Sequence, residues 1–470
     1  MSRVIKIIFL LVVSLLLLAT SADAQMRNTL TPADKLYGLS KFWQEVNYNF
    51  VYLDKVDEAK WDEAYRQLLA SVPQTPNDYA YYRELQKFCA LLKDGHTNVY
   101  FPQGIEQMTT NFGDYRLFVQ NIDNKAIIIR TNASKQDEIP VGSEITEVNG
   151  QPTAAYITEH VAPYISSSTD YILKDWGIRD LLKGVAGDTY KVKIKKPKGG
   201  IVSLNLTHQL TEEKAVYPEF EPERGLLDFK WLPNGVAYVA LNSFGNPKID
   251  SLFIQKLPEL YTAKGLIVDL RYNGGGNTEI GTAILKYLTT DKLLYNAKSR
   301  TRQHVATYKA WGGYVEPKDT VAGNKDWGIT KQEALKYYQV AHGNFYQNLD
   351  SAPDTVKLSA KRIIVPTVVL IGHYTASAAE DFLIAAAPQK HLLTMGENSF
   401  GSTGQPLSFG LPGGGSARIC TKQDTYPDGR EFVGYGIKPA VEVKPTLKDY
   451  LAKRDPVLIK ALAYLKTKIR

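Results

Sequence analysis

The chain has 470 residues, with 56 Lys and Arg against 49 Asp and Glu and a formal net charge of +7. The excess is mild and scattered, and clusters such as Lys191-Val-Lys-Ile-Lys-Lys-Pro-Lys198 interleave with apolar residues, which describes the solvated face of a strand rather than a nucleic-acid groove. The two cysteines, Cys89 and Cys420, exclude a disulfide framework, so stability must come from ordinary cores, and the length suggests two or three of them.

The first residues read as a targeting segment. Arg3 and Lys6 precede an apolar run from Ile7 to Ala19 that is too short to span a bilayer, and Ala22-Asp23-Ala24 supplies small residues at the positions a signal peptidase reads. Cleavage is expected between Ala24 and Gln25, leaving a periplasmic or secreted protein with no integral membrane segment.

From about Leu30 to Leu92 the apolar residues recur at helical spacing: Leu36, Leu39, Trp43 and Val46, then Trp61, Tyr65, Leu68 and Leu69, then Leu85, Phe88, Leu91 and Leu92. Between about Asn111 and Leu210 the pattern turns to short strands. Ala126 to Arg130 is one, and Val141 to Gly150 reads as turn, strand and turn. Tyr190 to Ile194 and Val202 to Leu206 alternate across Pro197, Gly199 and Gly200, as a hairpin does. From about Phe229 strands and helices alternate, as in a mixed or parallel sheet covered by helices. The strands are Gly235 to Leu241, Gly265 to Leu270 and Ile363 to Ile371; the helices are Ile249 to Tyr261, residues 278–289 and Ala376 to Ala387. Residues 310–360, rich in Tyr, Trp, Asp and Lys, read as an insertion or surface excursion.

Three places carry chemistry. Gly372-His-Tyr-Thr-Ala-Ser377-Ala-Ala-Glu380 lies between a buried strand and a helix. A serine there either exposes its hydroxyl beside free helix N–H groups, with the Ala378 N–H available to an oxyanion, or caps the helix in a Ser-x-x-Glu box. Asp269-Leu-Arg-Tyr-Asn-Gly-Gly-Gly276 also ends an apolar strand, and its glycines either present unblocked N–H donors or form a plain loop. Leu92-Lys-Asp-Gly-His96-Thr97 offers one histidine among seven, and read alone it suits a surface or capping residue as well as a base. No His-Glu-x-x-His or Cys/His cluster occurs, so neither a metal nor another cofactor is expected.

Taken together, Gly265-Leu-Ile-Val-Asp-Leu-Arg-x-Asn-x-Gly-Gly276, Thr375-Ala-Ser-Ala-Ala-Glu380, Gly396-Glu-Asn-Ser-Phe-Gly401 and Gly434-Tyr-Gly-Ile-Lys-Pro439 resemble the tail-specific protease (C-terminal processing peptidase) family, in family order, over about Leu227 to Pro445. The resemblance implies an α/β fold: a crotonase/ClpP-like spiral of ββα units, an N-terminal helical segment and an inserted PDZ-like β-rich domain. The implied boundaries are 1–24 for the signal peptide, 25–104 for the helical domain carrying the base, 105–213 for the PDZ-like domain and 214–470 for the peptidase core. Many members use a Ser–Lys dyad whose Lys follows Phe-Gly, where this chain has Ser402. A branch similar to the tricorn protease core instead uses Ser, His and Glu, and Asp94-Gly-His96-Thr97 resembles its histidine segment. That implies Ser377 as nucleophile, His96 as base, and backbone N–H groups of Gly276, Ala378 and Gly275 at the oxyanion. The family's Glu position holds Val433 here, which leaves Glu431, two residues earlier and on the same side if the segment is a strand, as the candidate orienting carboxylate.

The function implied is a serine-type endopeptidase acting on exported or unfolded polypeptides and recognising their C-terminal ends. Its partner would be a polypeptide substrate, added as a strand to the PDZ-like sheet. The rival reading is a non-catalytic peptide- or lipid-binding protein on the same fold; an acyl-CoA enzyme fits less well, because export removes the cofactor supply. Cleavage preference, oligomeric state and any pairing of Cys89 with Cys420 are left open by the sequence.

Overall fold

The computed structural model describes residues 29–108, 113–343 and 345–469. The expected signal segment lies outside them.

Thr31 opens the first helix, α1 (Pro32–Asn49), with a reciprocal capping box to Asp34 and with Pro32 in the first turn, where a missing N–H costs nothing. Helices α2 (Glu58–Ser71) and α3 (Asp78–Ala90) are capped by Asp57 and Asn77. Most of the apolar positions read from the sequence meet in one cluster, with Trp61 stacked on Phe88 at 3.9 Å between ring centroids, whereas Leu36 lies outside it and Leu91 is exposed. Ala417, Ile419 and Cys420, from the far end of the chain, belong to that same cluster. A short strand, β1 (Asn98–Tyr100), pairs antiparallel with residues 416–418 of the strand Ser416–Cys420. The N-terminal helices are thereby fastened to a segment more than 300 residues away.

The middle of the chain forms an antiparallel sheet in the order β2 (Phe118–Ile122), β3 (Lys125–Asn132), β4 (Glu144–Val148), β5 (Thr189–Lys195) and β6 (Ile201–Thr207). In β5, Tyr190, Val192 and Ile194 are buried while Lys191 and Lys195 face solvent, so the lysine cluster is indeed the wet side of a strand. Helix α4 (Asp170–Arg179) lies beside the β2 edge, where Asn121 Nδ2 donates to Asp175 Oδ1 at 2.6 Å.

The third region is a six-stranded sheet formed by β7 (Leu227–Leu232), β8 (Val236–Leu241), β9 (Gly265–Asp269), β10 (Thr367–Ile371), β11 (Leu392–Gly396) and β12 (Val441–Glu442). They lie side by side in reverse chain order, all pairs parallel except β7 with β8. Every residue of β9 and β10 is buried, as continuous apolar runs in a sheet covered on both faces require. Helices α5 (Lys248–Gln255), α6 (Thr278–Leu288) and α7 (Ala378–Ala386) cover one face; α8 (Pro456–Lys468) covers the other. Arg271 ties α8 to the sheet, donating to Asp269 at 2.7 Å and to Asp455 at 2.8 Å.

One expectation changes in detail. The helix expected over Ile249 to Tyr261 is broken at Lys256 into Lys248–Gln255 and Leu257–Leu260, because Pro258 has no N–H with which to continue the first helix. The 310–360 stretch holds the helix Lys331–Ala341, and its strand Tyr346–Asn348 pairs with Lys298–Arg302, which in turn pairs with Gln423–Thr425. Cys89 and Cys420 are both free, buried thiols. No helix among the described residues is long and apolar enough to cross a membrane.

Candidate active site

The parallel strands β9 and β10 end side by side, and the loops leaving them form the floor of the site. Asn273, fully buried, organises the first loop. Its Nδ2 donates to the Leu241 carbonyl at 2.9 Å, its Oδ1 accepts from the Gly275 N–H at 2.9 Å, and its carbonyl accepts from the Ala376 N–H at 3.0 Å. Thr375 holds the second loop, donating its hydroxyl to the Leu270 carbonyl at 2.8 Å.

Ser377 sits at the turn from β10 into α7 with φ +55° and ψ −124°, a region that L-residues rarely occupy. Strain at this kind of strand-to-helix turn lifts a serine side chain out of the backbone surface. The Ser-x-x-Glu box is made by its glutamate arm, since Glu380 Oε2 accepts the Ser377 N–H at 3.1 Å. Glu380 does more than cap. Its Oε1 also accepts from the Ser399 hydroxyl at 2.5 Å and the Gly401 N–H at 2.8 Å, clamping the 399–401 loop onto the nucleophile turn. Burial pushes the Glu380 carboxyl up to about 8, against the pull of these donors.

Gly275 passes close to this turn. A Cβ placed on it would lie 2.7 Å from Ser377 Cβ and 2.9 Å from Ala378 N. The space in front of the Ala378 N–H, which opens α7 and has no intrahelical acceptor, therefore exists because residue 275 has no side chain. The Gly275 N–H is already donated to Asn273. Gly276 sits in a parallel bridge with Phe244, in which the Gly275 carbonyl and the Asn277 N–H make the bonds, so its own N–H faces away from that partner.

His96 arrives from the other end of the chain. Thr97 Oγ1 accepts the Cys420 N–H at 3.0 Å, and His96 Nδ1 bonds to Ser402 Oγ at 2.7 Å. The Ser402 loop is fixed to the nucleophile turn by the Phe400 N–H donating to the Thr375 carbonyl at 2.8 Å. His96, Gly274, Ala376 and Phe400 accordingly line one cavity of about 540 Å³, shared with Arg224 and Arg418. Burial, and then the charges of Arg418 and Lys422, draw the His96 imidazole down to about 4, so the ring is neutral and able to accept a proton at pH 7.

Behind His96, Ser402 Oγ reaches Asp94 Oδ1 at a longer 3.4 Å. Asp94 is buried and also accepts from the hydroxyls of Thr97 at 2.6 Å and Ser168 at 3.3 Å. Ser168 in turn accepts the Gly95 N–H at 2.9 Å, so the segment before α4 buttresses the histidine loop. In the sequence, Ser402 stands only as the position of an absent lysine and Asp94 as part of a histidine motif; neither announces itself there as a partner of His96.

Glu431 is engaged elsewhere. It is 41% exposed, pairs with Lys55 at 3.1 Å and accepts from Gln423 at 3.1 Å, and it makes no hydrogen bond to His96 among the described residues. Its expected placement presumed a strand, and the chain has no strand between Thr425 and Val441. Lys422, whose charge reaches His96, is not a free amine. Its ammonium pairs with buried Asp424 at 3.0 Å, and although burial alone would lower it, Asp424 and Asp381 hold its pKa above the usual lysine value. A lysine kept protonated cannot serve as general base. No group of side chains suited to holding a metal ion occurs among the described residues.

A strained serine at a strand-to-helix turn, a neutral buried histidine and N–H groups beside a glycine floor lie in one region of the fold, and the chain is a serine-type peptidase. Residues 235–443 match the model of peptidase family S41. It is 21% identical over 465 residues to the carboxy-terminal processing protease CtpA of Bacillus subtilis, covering 96% of this chain and 79% of that one. It is 26% identical over 278 residues to the chloroplastic C-terminal processing peptidase of Tetradesmus obliquus, covering 57% of this chain and 49% of that one. Among solved structures, mature CPAF complexed with lactacystin shares the mixed α/β fold at a TM-score of 0.60 and 16% identity, over 93% of this chain and 97% of that chain.

Proposed function

We propose that the protein is an endopeptidase that cleaves exported or unfolded polypeptides with Ser377 as nucleophile and His96 as general base. The observation that carries this reading is the joining of the two chain ends, in which His96 is bonded to Ser402 on the loop that Glu380 clamps to Ser377. His96 takes the Ser377 hydroxyl proton as Oγ attacks the peptide carbonyl. The acyl-enzyme forms as the amine leaves with that proton, and water then releases the acyl group by the reverse route. The N–H groups of Ala378 and Gly276 hold the oxyanion, while Gly275 supplies the room and spends its own N–H on Asn273. In place of Glu431, Asp94 acting through Ser402 orients the imidazole: Nδ1–H donates to Ser402, whose hydroxyl donates to Asp94, leaving Nε2 as the acceptor.

We further read the six-stranded sheet and its helices as the crotonase-like core, and the β2–β6 sheet with α4 as PDZ-like. The β2 edge beside α4 offers the kind of groove where a polypeptide end adds as a strand, and the relatives' names, which specify carboxy-terminal processing, favour such ends as substrates. Hydrolysis of unfolded casein tests the chemistry. It should vanish in Ser377→Ala and His96→Ala and persist in Lys422→Ala; activity that survives His96→Ala but not Lys422→Ala would transfer the base to the lysine.

A further inference from the structure

The cavity beside the nucleophile is not a plain apolar slot. Trp176, Tyr272, Tyr374 and Phe400 give it aromatic walls, yet two guanidinium groups, Arg224 and Arg418, also line it. Neither is ion-paired among the described residues. Arg224 is exposed, with its guanidinium carbon over the Tyr272 ring, 3.5 Å from the centroid, and its N–H groups make no hydrogen bond among the described residues. Arg418 directs Nε to Asn98 Oδ1 at 2.8 Å and Nη2 to the Gly95 carbonyl at 3.4 Å; both partners are neutral, so its charge is uncompensated by any direct contact. Arg271, which holds the core sheet to α8, is treated differently by the fold, being satisfied by two carboxylates, Asp269 and Asp455.

Two unpaired guanidinium groups held by an aromatic face and by neutral oxygens, in one cavity that also contains the base, have the composition of an anion subsite with apolar walls. We propose that this cavity binds a carboxylate of the polypeptide next to the bond being cleaved, with Arg224 and Arg418 as the residues that recognise it. The carboxylate comes either from an Asp or Glu side chain or from a free C-terminus a short distance beyond the scissile bond. This subsite is separate from the β2 edge, and it rests on the reading of Ser377 and His96 as the catalytic pair. Tyr272 follows Arg271 on the same loop that supplies the glycine floor, so Arg224 is stacked on a platform whose position is fixed relative to the nucleophile.

The test uses two matched pairs of fluorogenic peptides: internal Glu against Gln at each position flanking the cleavage site, and a free carboxyl end against its amide. The wild-type enzyme should prefer the carboxylate in one of the two pairs by at least about 10-fold in kcat/KM, and the pair that responds identifies the source. In Arg224→Gln, an exposed substitution that leaves the core untouched, and in Arg418→Gln, that ratio should fall to within about threefold of unity. Equal rates for both pairs in the wild type, or a preference unchanged in both variants, would overturn the subsite. Binding of the same peptides to Ser377→Ala, read by fluorescence anisotropy, separates this claim from the peptidase reading. A carboxylate preference in binding without hydrolysis by the wild type would leave the subsite standing and remove the nucleophile assignment.

Discussion

Replacing Ser402 by Ala removes one hydroxyl and severs the only hydrogen bond that His96 Nδ1 makes to a side chain among the described residues. The ring must become an imidazolium during attack. Burial and two nearby cations have drawn its pKa from 6.5 to about 4, so charging it costs on the order of 3 kcal/mol more than charging a free imidazole. The Ser402–Asp94 relay offsets part of that cost, since a hydrogen bond to a charged group contributes about 1.5–3 kcal/mol. Its loss should lower kcat by roughly 10- to 150-fold with little change in KM, because the interaction strengthens only as charge develops. The cavity left is that of a single oxygen, so the melting temperature should move by no more than a few degrees. The assay is steady-state hydrolysis of a fluorogenic peptide, paired with thermal unfolding of the same sample. A kcat within twofold of wild type, at unchanged stability, would refute the relay.

Three further predictions rest on the same geometry. Gly275→Ala puts a methyl group 2.9 Å from Ala378 N, at a φ of +96° that alanine resists; kcat should fall by about 100-fold or more while peptide binding to the same variant persists, and a kcat loss below about threefold would dissociate the glycine floor from the oxyanion. The acid limb of kcat/KM should lie near 4, because the base is neutral until then; a limb at 6.5 would mean that the imidazole is not held as buried as the structure has it. Glu380 binds its proton more tightly in the fold, at about 8 against 4.5 in the unfolded chain. Its protonation therefore contributes stability that is fully present below about 4.5 and is lost as pH rises through 8. Thermal unfolding followed from pH 5 to 8 should show that decline flattened in Glu380→Gln, and an identical slope in both proteins would contradict the assignment.

Much of this was legible because it is local. The two strand-end motifs, Asp269 to Gly276 and Gly372 to Glu380, carry their own chemistry in short runs, and the buried strands β9 and β10 announce themselves as unbroken apolar segments. Ser402 was legible only as a departure from a pattern, since its partner His96 lies 306 residues away and no periodicity encodes a contact of that span. Asp94 stood in plain view two residues before His96, but a carboxylate beside Thr97 reads equally as a turn cap, and it does accept that hydroxyl. Strand parity points to Glu431 only where the stretch is a strand, and this one forms loop and turn, so the two-residue period has no meaning there. Glu380 reads in the sequence as half of a helix cap. Its reach to Ser399 and Gly401 depends on a loop 19 and 21 residues onward folding back over the turn.

Covalent labelling tests the central claim most directly. A fluorophosphonate reacts only with a serine made nucleophilic by its surroundings. Peptide mapping of the wild-type adduct should place the label on Ser377, with no labelling in Ser377→Ala and a rate reduced by orders of magnitude in His96→Ala. Labelling on another serine, or equal rates in wild type and His96→Ala, would contradict the pairing of Ser377 with a base from the opposite end of the chain.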